Sequence, residues 1–537
     1  MHGRLKVRTS AQEQEIKRKE REQKVKIYTA VMGKIVKKRE AGELDDEMMS
    51  LTSQTLVRNP DIYTLWNIRR EIFVAYKKEK NDEEMAPLVD SEVRLTESCL
   101  QVNPKSYCAW HHRGWVLDLH PSPNWKRELA LCTKFLMMDE RNFHCWDYRR
   151  LAAEKSGVSP IDEFNFSTEK INDNFSNYSA WHYRSKLLPL THPDAAGKAL
   201  IEPDKHRQEL ELVQNAAFTD PNDTSAWFYQ RWLLGRDCSV AQKEPPRPLL
   251  AWLGTSRAVV SFSSAAPSPP FLRVNGANLL GKWQKASKFV WTLSLNVETI
   301  GQDCVIEVVT ESGTLVLKPD SIGFVAICPE SKLEGEHDPV VIAELKGQLA
   351  CCRQLLDLEP DSKWTLLTLV LLMQAIDTSL YHGEMMEFLD KLLLVDPLRA
   401  GYYRDLRSKC VLEFKLSMSD WSFGAQKTLS LSDCHLSSLY FSNRLALVQE
   451  VDLSKNELLD HSLPALASLQ LCVRLDLSHN KLVTLEGFPH LPALVYLNLS
   501  SNPLTGKSKV VEHNIKKAEL AALKELISED NTCGDLS

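Results

Sequence analysis

The apolar positions change rhythm along the chain. Up to about residue 240 they recur at helical spacing, in amphipathic stretches such as Glu92–Gln101 and Arg127–Met137 that alternate with tryptophan-centred segments. From Ala258 the rhythm turns short and alternating, rich in β-branched and aromatic residues: Ala258–Phe262, Phe289–Asn296, Val305–Thr310, Thr314–Lys318 and Gly323–Cys328. Breaker runs at Lys243–Pro248 and Ala265–Pro270, and turns such as Glu311-Ser-Gly, punctuate this region. It predicts an antiparallel β-sandwich of about 95 residues inserted into the helical array. Helical spacing is expected to resume near Pro339 and finish near Phe414. From Leu429 the leucines fall into a fourth rhythm, LSLSDCHL, VDLSKNEL, LDLSHNKL and LNLSSNPL, with Cys434, Asn456, Asn480 and Asn502 at gaps of 22, 24 and 22. That is a leucine-rich repeat, whose Asn or Cys ladder is expected to satisfy buried loop backbone. Val510–Ile527 is expected to be its capping helix.

The helical half is itself repetitive. NPDIYTLWNIRR from Asn59, NPKSYCAWHHRG from Asn103, DERNFHCWDYRR from Asp139, NFSNYSAWHYRS from Asn174 and DPNDTSAWFYQR from Asp220 each set an Asn or Asp seven residues before a Trp. The tryptophans are Trp66, Trp110, Trp146, Trp181 and Trp227, at gaps of 44, 36, 35 and 46. Arg69, Arg113, Arg149 and Arg184 follow three residues after the first four; the fifth copy has Gln230 there and Arg231 one residue on. The Asn or Asp is expected to be a helix N-cap, with Pro60, Pro104 and Pro221 at the first helical position. Each unit then reads as a helical hairpin of about 35–45 residues, and five or more make a curved stack. The tryptophans are expected to pack between neighbouring hairpins. The arginines have two readings: an ion pair or helix-end contact inside the stack, or a face for a partner chain. Glu359–Trp364 and Asp396–Arg404 are degenerate later copies.

The boundaries that follow are a basic arm at 1–40, helical hairpins at 41–242, the inserted sandwich at 243–338, the last helical repeats at 339–420, and the leucine-rich domain at 421–537. The arm holds thirteen Lys and Arg against five Glu, which predicts an exposed helix after a flexible start. It is either a solvated arm or one lying on an acidic partner, where His2 could reach a partner's metal.

Composition removes several function classes. With 43% hydrophobic and 25% charged residues the chain is globular rather than disordered. A formal charge of −6 gives no basic field for nucleic acid. The thirteen cysteines form no C-x-x-C pair, so no zinc module is visible. The start lacks an apolar signal core, and the most apolar run, Leu366–Met373, falls far short of the ~20 residues of a membrane span. A cytoplasmic, reducing setting is expected, with no transmembrane segment.

The tandem N/D-P-x-x-x-x-x-W-x-x-R hairpins resemble the α subunits of the protein prenyltransferases. The inserted sandwich, Ig-like in kind, and the C-terminal leucine-rich repeats narrow the resemblance to the branch that serves Rab GTPases. The resemblance implies a crescent of hairpins wrapped around an α/α-barrel β subunit. That partner would hold the catalytic zinc and most of the lipid-diphosphate pocket, with no metal on this chain. The implied reaction attaches geranylgeranyl groups, from geranylgeranyl diphosphate, by thioether bonds to C-terminal cysteines of Rab GTPases presented by an escort protein. The family's K-x-Y-x-x-W-x-H-R segment is matched by Lys105-Ser-Tyr107-Cys-Ala-Trp110-His-His112-Arg113. Lys105 would then give charge, and Tyr107 a hydrogen bond, to the leaving diphosphate. From the residues alone, a lysine beside a cap is a solvated one, although Lys105 is the only Lys directly after an N-P pair among the five clear copies. His111 and His112 read as interface or hydrogen-bonding residues rather than metal ligands. The rival reading is a non-catalytic helical scaffold carrying Ig-like and leucine-rich protein-binding modules.

Overall fold

The structure is a computed structural model that describes residues 11–197, 200–234, 245–295, 301, 303–320, 323–328, 339–418, 428–504 and 522–527. His2 and most of the expected cap at Val510–Ile527 lie outside the described residues. The chain divides into two compact units, Met1–Ala216 with Asp223–Trp232, and Ala217–Asn222 with Leu233–Ser537.

The first unit begins with α1 (Ala11–Glu40), whose Lys38 is held by Glu43, Asp45 and Glu47 at 2.8–3.0 Å. Paired helices follow: α2 (Asp46–Arg58) with α3 (Tyr63–Glu79), α4 (Asp82–Val102) with α5 (Tyr107–Leu117), and α6 (Trp125–Met138) with α7 (Phe143–Ser156). Then come α8 (Pro160–Asp173) with α9 (Tyr178–Thr191), and α10 (Pro203–Thr219) with α11 (Thr224–Leu234).

The repeated Asn or Asp does not start the tryptophan helix. Asn59, Asn103, Asp139 and Asn174 are C-caps of the first helix of each pair. Each folds its side-chain oxygen onto the backbone N–H two residues on, at Asp61, Lys105, Arg141 and Ser176. This is an Asx turn, and the prolines sit where a turn favours a fixed φ. The second helix starts only four residues later, under a cap of its own: Ser106 for α5, Asn142 for α7 and Asn177 for α9. Both readings use the same short polar residues, because what caps a helix start also closes a turn.

In the second unit, β1 (Pro248–Leu253), β2 (Arg257–Phe262), β3 (Phe271–Val274), β4 (Ala277–Asn278) and β5 (Lys282–Lys285) precede β6 (Val290–Ser294), β7 (Ile306–Thr310), β8 (Gly313–Asp320) and β9 (Gly323–Ile327). They join in the order β4-β3-β7-β8-β9-β1-β2-β6-β5, and every pairing is antiparallel. The five strands expected from the alternating pattern correspond to β2, β6, β7, β8 and β9. The sequence reading missed β3, β4 and β5, which are short, and β1, because its residues are apolar on both faces. Ala251 and Leu253 enter a core with Val260, Leu272, Val308 and Phe324. Leu249 and Leu250 enter a second core with Val259, Val290 and Val325, to which Ala446, Leu447 and Leu471 of the leucine-rich region also belong. Polar contacts tie the same face: Arg257 donates to the Gln470 carbonyl, Ser261 to that of Asn443, and Asn443 to that of Phe262.

Helices α12 (Pro339–Leu358), α13 (Lys363–Asp377), α14 (His382–Val395) and α15 (Ala400–Met418) lead to the leucine-rich repeats. There β10 (Thr428–Ser430), β11 (Glu450–Asp452), β12 (Arg474–Asp476), β13 (Tyr496–Asn498) and β14 (Glu525–Ile527) run parallel. The last three residues of the span expected to be a capping helix are thus a fifth strand, because their backbone completes the β13 edge. Val411, Leu412 and Leu416 of α15 share the leucine core. The Asn480 amide donates to the carbonyls of Leu453 and Leu477 at 2.9 and 3.0 Å, and its oxygen accepts from Leu458 N–H at 3.0 Å. Asn456 and Asn502 repeat the arrangement.

Candidate functional site

The arginines after the tryptophans are buried, so they face no partner. Arg113 donates through Nε and Nη2 to both oxygens of Glu128, at 2.6 and 2.8 Å. Its Nη1 turns back to Val93 carbonyl and Thr96 of its own hairpin. Arg69–Glu92, Arg149–Glu163 and Arg184–Glu209 repeat the pair in the neighbouring copies. Each glutamate lies on the first helix of the next hairpin. There it also meets the residue two after that hairpin's tryptophan: His112 on Glu92, Tyr148 on Glu128, Tyr183 on Glu163 and Tyr229 on Glu209, at 2.7–3.0 Å. In the fifth copy Gln230 takes the buried place, while Arg231 stands one position round the helix with its guanidinium over Phe228.

The indoles close the turns. The Nε1–H groups of Trp66, Trp110, Trp146 and Trp181 donate to the carbonyls of Pro60, Pro104, Glu140 and Phe175, at 2.8–2.9 Å. Trp227 is buried like the others. Expected as packing between hairpins, these indoles also fix the turn beneath them. Burial raises the Glu92 carboxyl, but Arg69 and His112 outweigh it and hold the pKa at about 2. Burial pushes His112 down, more than Glu92 lifts it. His112 is therefore neutral at pH 7 with its proton on Nε2, and its Nδ1 has no hydrogen-bond partner.

With the turns fixed, an edge of side chains stands outside the stack. Tyr63, Tyr107, Phe143 and Tyr178 each open a second helix, three residues before its tryptophan, and all are exposed. Lys105 lies in the turn before Tyr107, exposed, with its Nζ 3.0 Å from Asp139 Oδ2. The Tyr107 ring meets the His144 ring edge-on at 4.1 Å. Tyr107 and His144 line a groove of about 460 Å³ with Trp110, His111, Trp115 and Tyr148. His111 accepts a hydrogen bond from the Arg70 guanidinium through Nδ1 at 2.7 Å. Burial, with a smaller push from Lys105, holds His144 below the ordinary histidine range despite Asp147. The structure thus gathers Lys105, Tyr107 and His111 at one edge, over the buried Trp110, and keeps His112 and Arg113 inside. The sequence reading missed Asp139 and His144 as neighbours of that site. The signal for Asp139 was its position at the head of the next copy's turn. No group of three or more His, Cys, Asp or Glu that could hold a metal occurs among the described residues.

The sequence profile of the protein prenyltransferase alpha subunit repeat matches residues 89–120, 125–156, 160–190 and 206–237, and that of the leucine rich repeat matches 446–504. Each prenyltransferase match spans one hairpin from α4 to α11. Along its length the chain is 43% identical to the pig geranylgeranyl transferase type-2 subunit alpha over 531 residues, 94% of this chain and 92% of that one. The chain belongs to the geranylgeranyl transferase type-2 α-subunit family. The human subunit of the same name is 42% identical over 530 residues, again 94% and 92% of the two chains. That of Dictyostelium discoideum is 39% identical over 242 residues, 45% of this chain and 76% of its own. As a type-2 α subunit the chain is part of a prenyltransferase heterodimer. Its helical repeats, sheet-rich insertion and leucine-rich repeats are those expected from its sequence. The arginine–glutamate links also reach a hairpin that the profile leaves out, because Arg69 of α3 binds Glu92.

Proposed function

We propose that the chain serves, with a β subunit, to transfer geranylgeranyl groups from geranylgeranyl diphosphate to C-terminal cysteines of Rab GTPases presented by an escort protein in the cytoplasm. In this reading Lys105 and Tyr107 stand at the leaving diphosphate. The catalytic zinc belongs to the β subunit, where it supplies a thiolate at neutral pH. The bond from the prenyl C1 to the diphosphate oxygen breaks as the thioether forms, and the electron pair stays on that oxygen. Charge grows there, so a cation held nearby stabilises the transition state more than the ground state.

One observation carries the reading: Lys105 and Tyr107 stand together, exposed, on an edge of aromatic side chains that no described residue covers. Exposed apolar rows of this kind mark protein interfaces. The full-length likeness to type-2 α subunits supports the lipid and the partner. No described helix is long and apolar enough to cross a membrane. Co-expression with a prenyltransferase β chain should yield a one-to-one complex that prenylates an escorted Rab. A stable monomer that ignores such a β chain contradicts the reading and favours a plain scaffold.

A further inference from the structure

We propose that Asp139 is a positioning residue that holds Lys105 for the transfer step; this rests on the role given to Lys105 above. Both partners have fixed backbones. Asn103 Oδ1 accepts from Lys105 N–H at 3.1 Å, so the lysine leaves its turn in one direction. Asp139 Oδ1 accepts from Arg141 N–H at 3.2 Å, which turns the other oxygen, Oδ2, towards the lysine Nζ at 3.0 Å. The carboxylate is therefore aimed by its own turn, and the ammonium is aimed by the carboxylate.

The neighbouring copies show what is special here. Two other pairs of neighbouring turns are linked through this position: Asn103 donates its amide to Asp61, and Asn174 donates to Glu140. In those links the later turn supplies a neutral amide to an acid on the earlier one. Between the second and third turns the Asn142 amide donates to the Pro104 carbonyl at 2.9 Å, and a second link of reversed polarity is added, with a cation on the earlier turn and an acid on the later. A structural link needs no such reversal, since Asn serves at the same position in three other copies. The exposed pair also contributes little to stability, as surface ion pairs do. Its consequence is to keep a four-carbon side chain from wandering, beside the exposed ring of Tyr107.

The variant Asp139→Asn separates the two roles, because Asn keeps the turn and loses the charge. In the assembled heterodimer, single-turnover transfer from geranylgeranyl diphosphate should slow by roughly three- to tenfold, the effect of a misplaced rather than a missing cation. Affinity for the lipid diphosphate should hold or tighten, since an anion beside it has gone. Subunit assembly and thermal stability should not move. Asp139→Asn on top of Lys105→Ala should cost nothing further, because the aspartate acts through the lysine. Asp220→Asn, the same change in the turn whose third residue is Asn222, should be silent. A wild-type rate for Asp139→Asn alongside a slow Lys105→Ala overturns the positioning role alone, as does an additive double variant. A wild-type rate for Lys105→Ala overturns the catalytic reading itself, and the positioning role with it.

Discussion

In the helical hairpins the polar interior is ionic, whereas in the leucine-rich repeats it is neutral. Arg113 and Glu128 are both essentially without solvent and form an ion pair with one another. Asn480, also buried, bonds four backbone groups with one uncharged amide. The difference follows from what each array must hold. Helices satisfy their own backbones, so register between hairpins has to come from side chains, and a forked guanidinium fixes distance and angle together. Leucine-rich coils leave loop carbonyls and N–H groups unpaired inside, and an amide with two donors and an acceptor answers them directly.

Breaking the ionic link should have the largest effect. Arg113→Met leaves Glu128 buried with only Tyr148 as a donor, and such loss of one partner costs about 3–5 kcal/mol. Chemical denaturation of the heterodimer should show it, and Arg113→Met with Glu128→Met should lose less than the two single changes summed. The neutral ladder should be more forgiving. Asn480→Ala removes one amide and leaves loop groups unpaired, for about 1–3 kcal/mol in the same assay.

Much of this comparison was legible in the sequence, and the unread part has physical causes. The arginines announced themselves through their spacing, but their partners did not, although Glu92, Glu128, Glu163 and Glu209 each stand eighteen residues before their own tryptophan. A glutamate on an amphipathic helix looks like any solvated one until the next hairpin covers it. The caps were misplaced by one turn because Asn and Asp serve both ends of a connection. Strand β1 was hidden because Leu250 and Ala251 point into different cores. Of the candidate site, Lys105 and Tyr107 were read through family resemblance. Asp139 and His144, a copy further on, are brought there only by the stacking.

A smaller effect sharpens the contrast through pH. Glu92, held at about 2, contributes in full above its ordinary value of 4.5 and loses that contribution as the pH falls from there through about 2. His112 behaves differently: buried neutral, it takes a proton less readily than the unfolded chain does. Stability is therefore lost as the pH falls below the ordinary histidine value of ~6.5. His112→Tyr installs the residue that the later copies use on their glutamates. It should leave stability at pH 7 nearly unchanged and remove one histidine's share of the acid slope, at most about 1.4 kcal/mol per pH unit. An unchanged slope between pH 6.5 and 5 counts against a neutral His112.

All these changes act on buried side chains, whereas Lys105 stands exposed on the outside of its stack. In the proposed function this outer lysine takes part in the chemistry. Single-turnover transfer by the heterodimer carrying Lys105→Ala tests that most directly. The predicted result is a fall of up to ~10²-fold, the lower end for loss of one charge-stabilising donor, with assembly and thermal stability preserved. Lys105→Arg should recover only part of the rate, because a planar fork does not replace a compact ammonium. Transfer at the wild-type rate by Lys105→Ala would contradict the claim and leave this chain an architectural subunit.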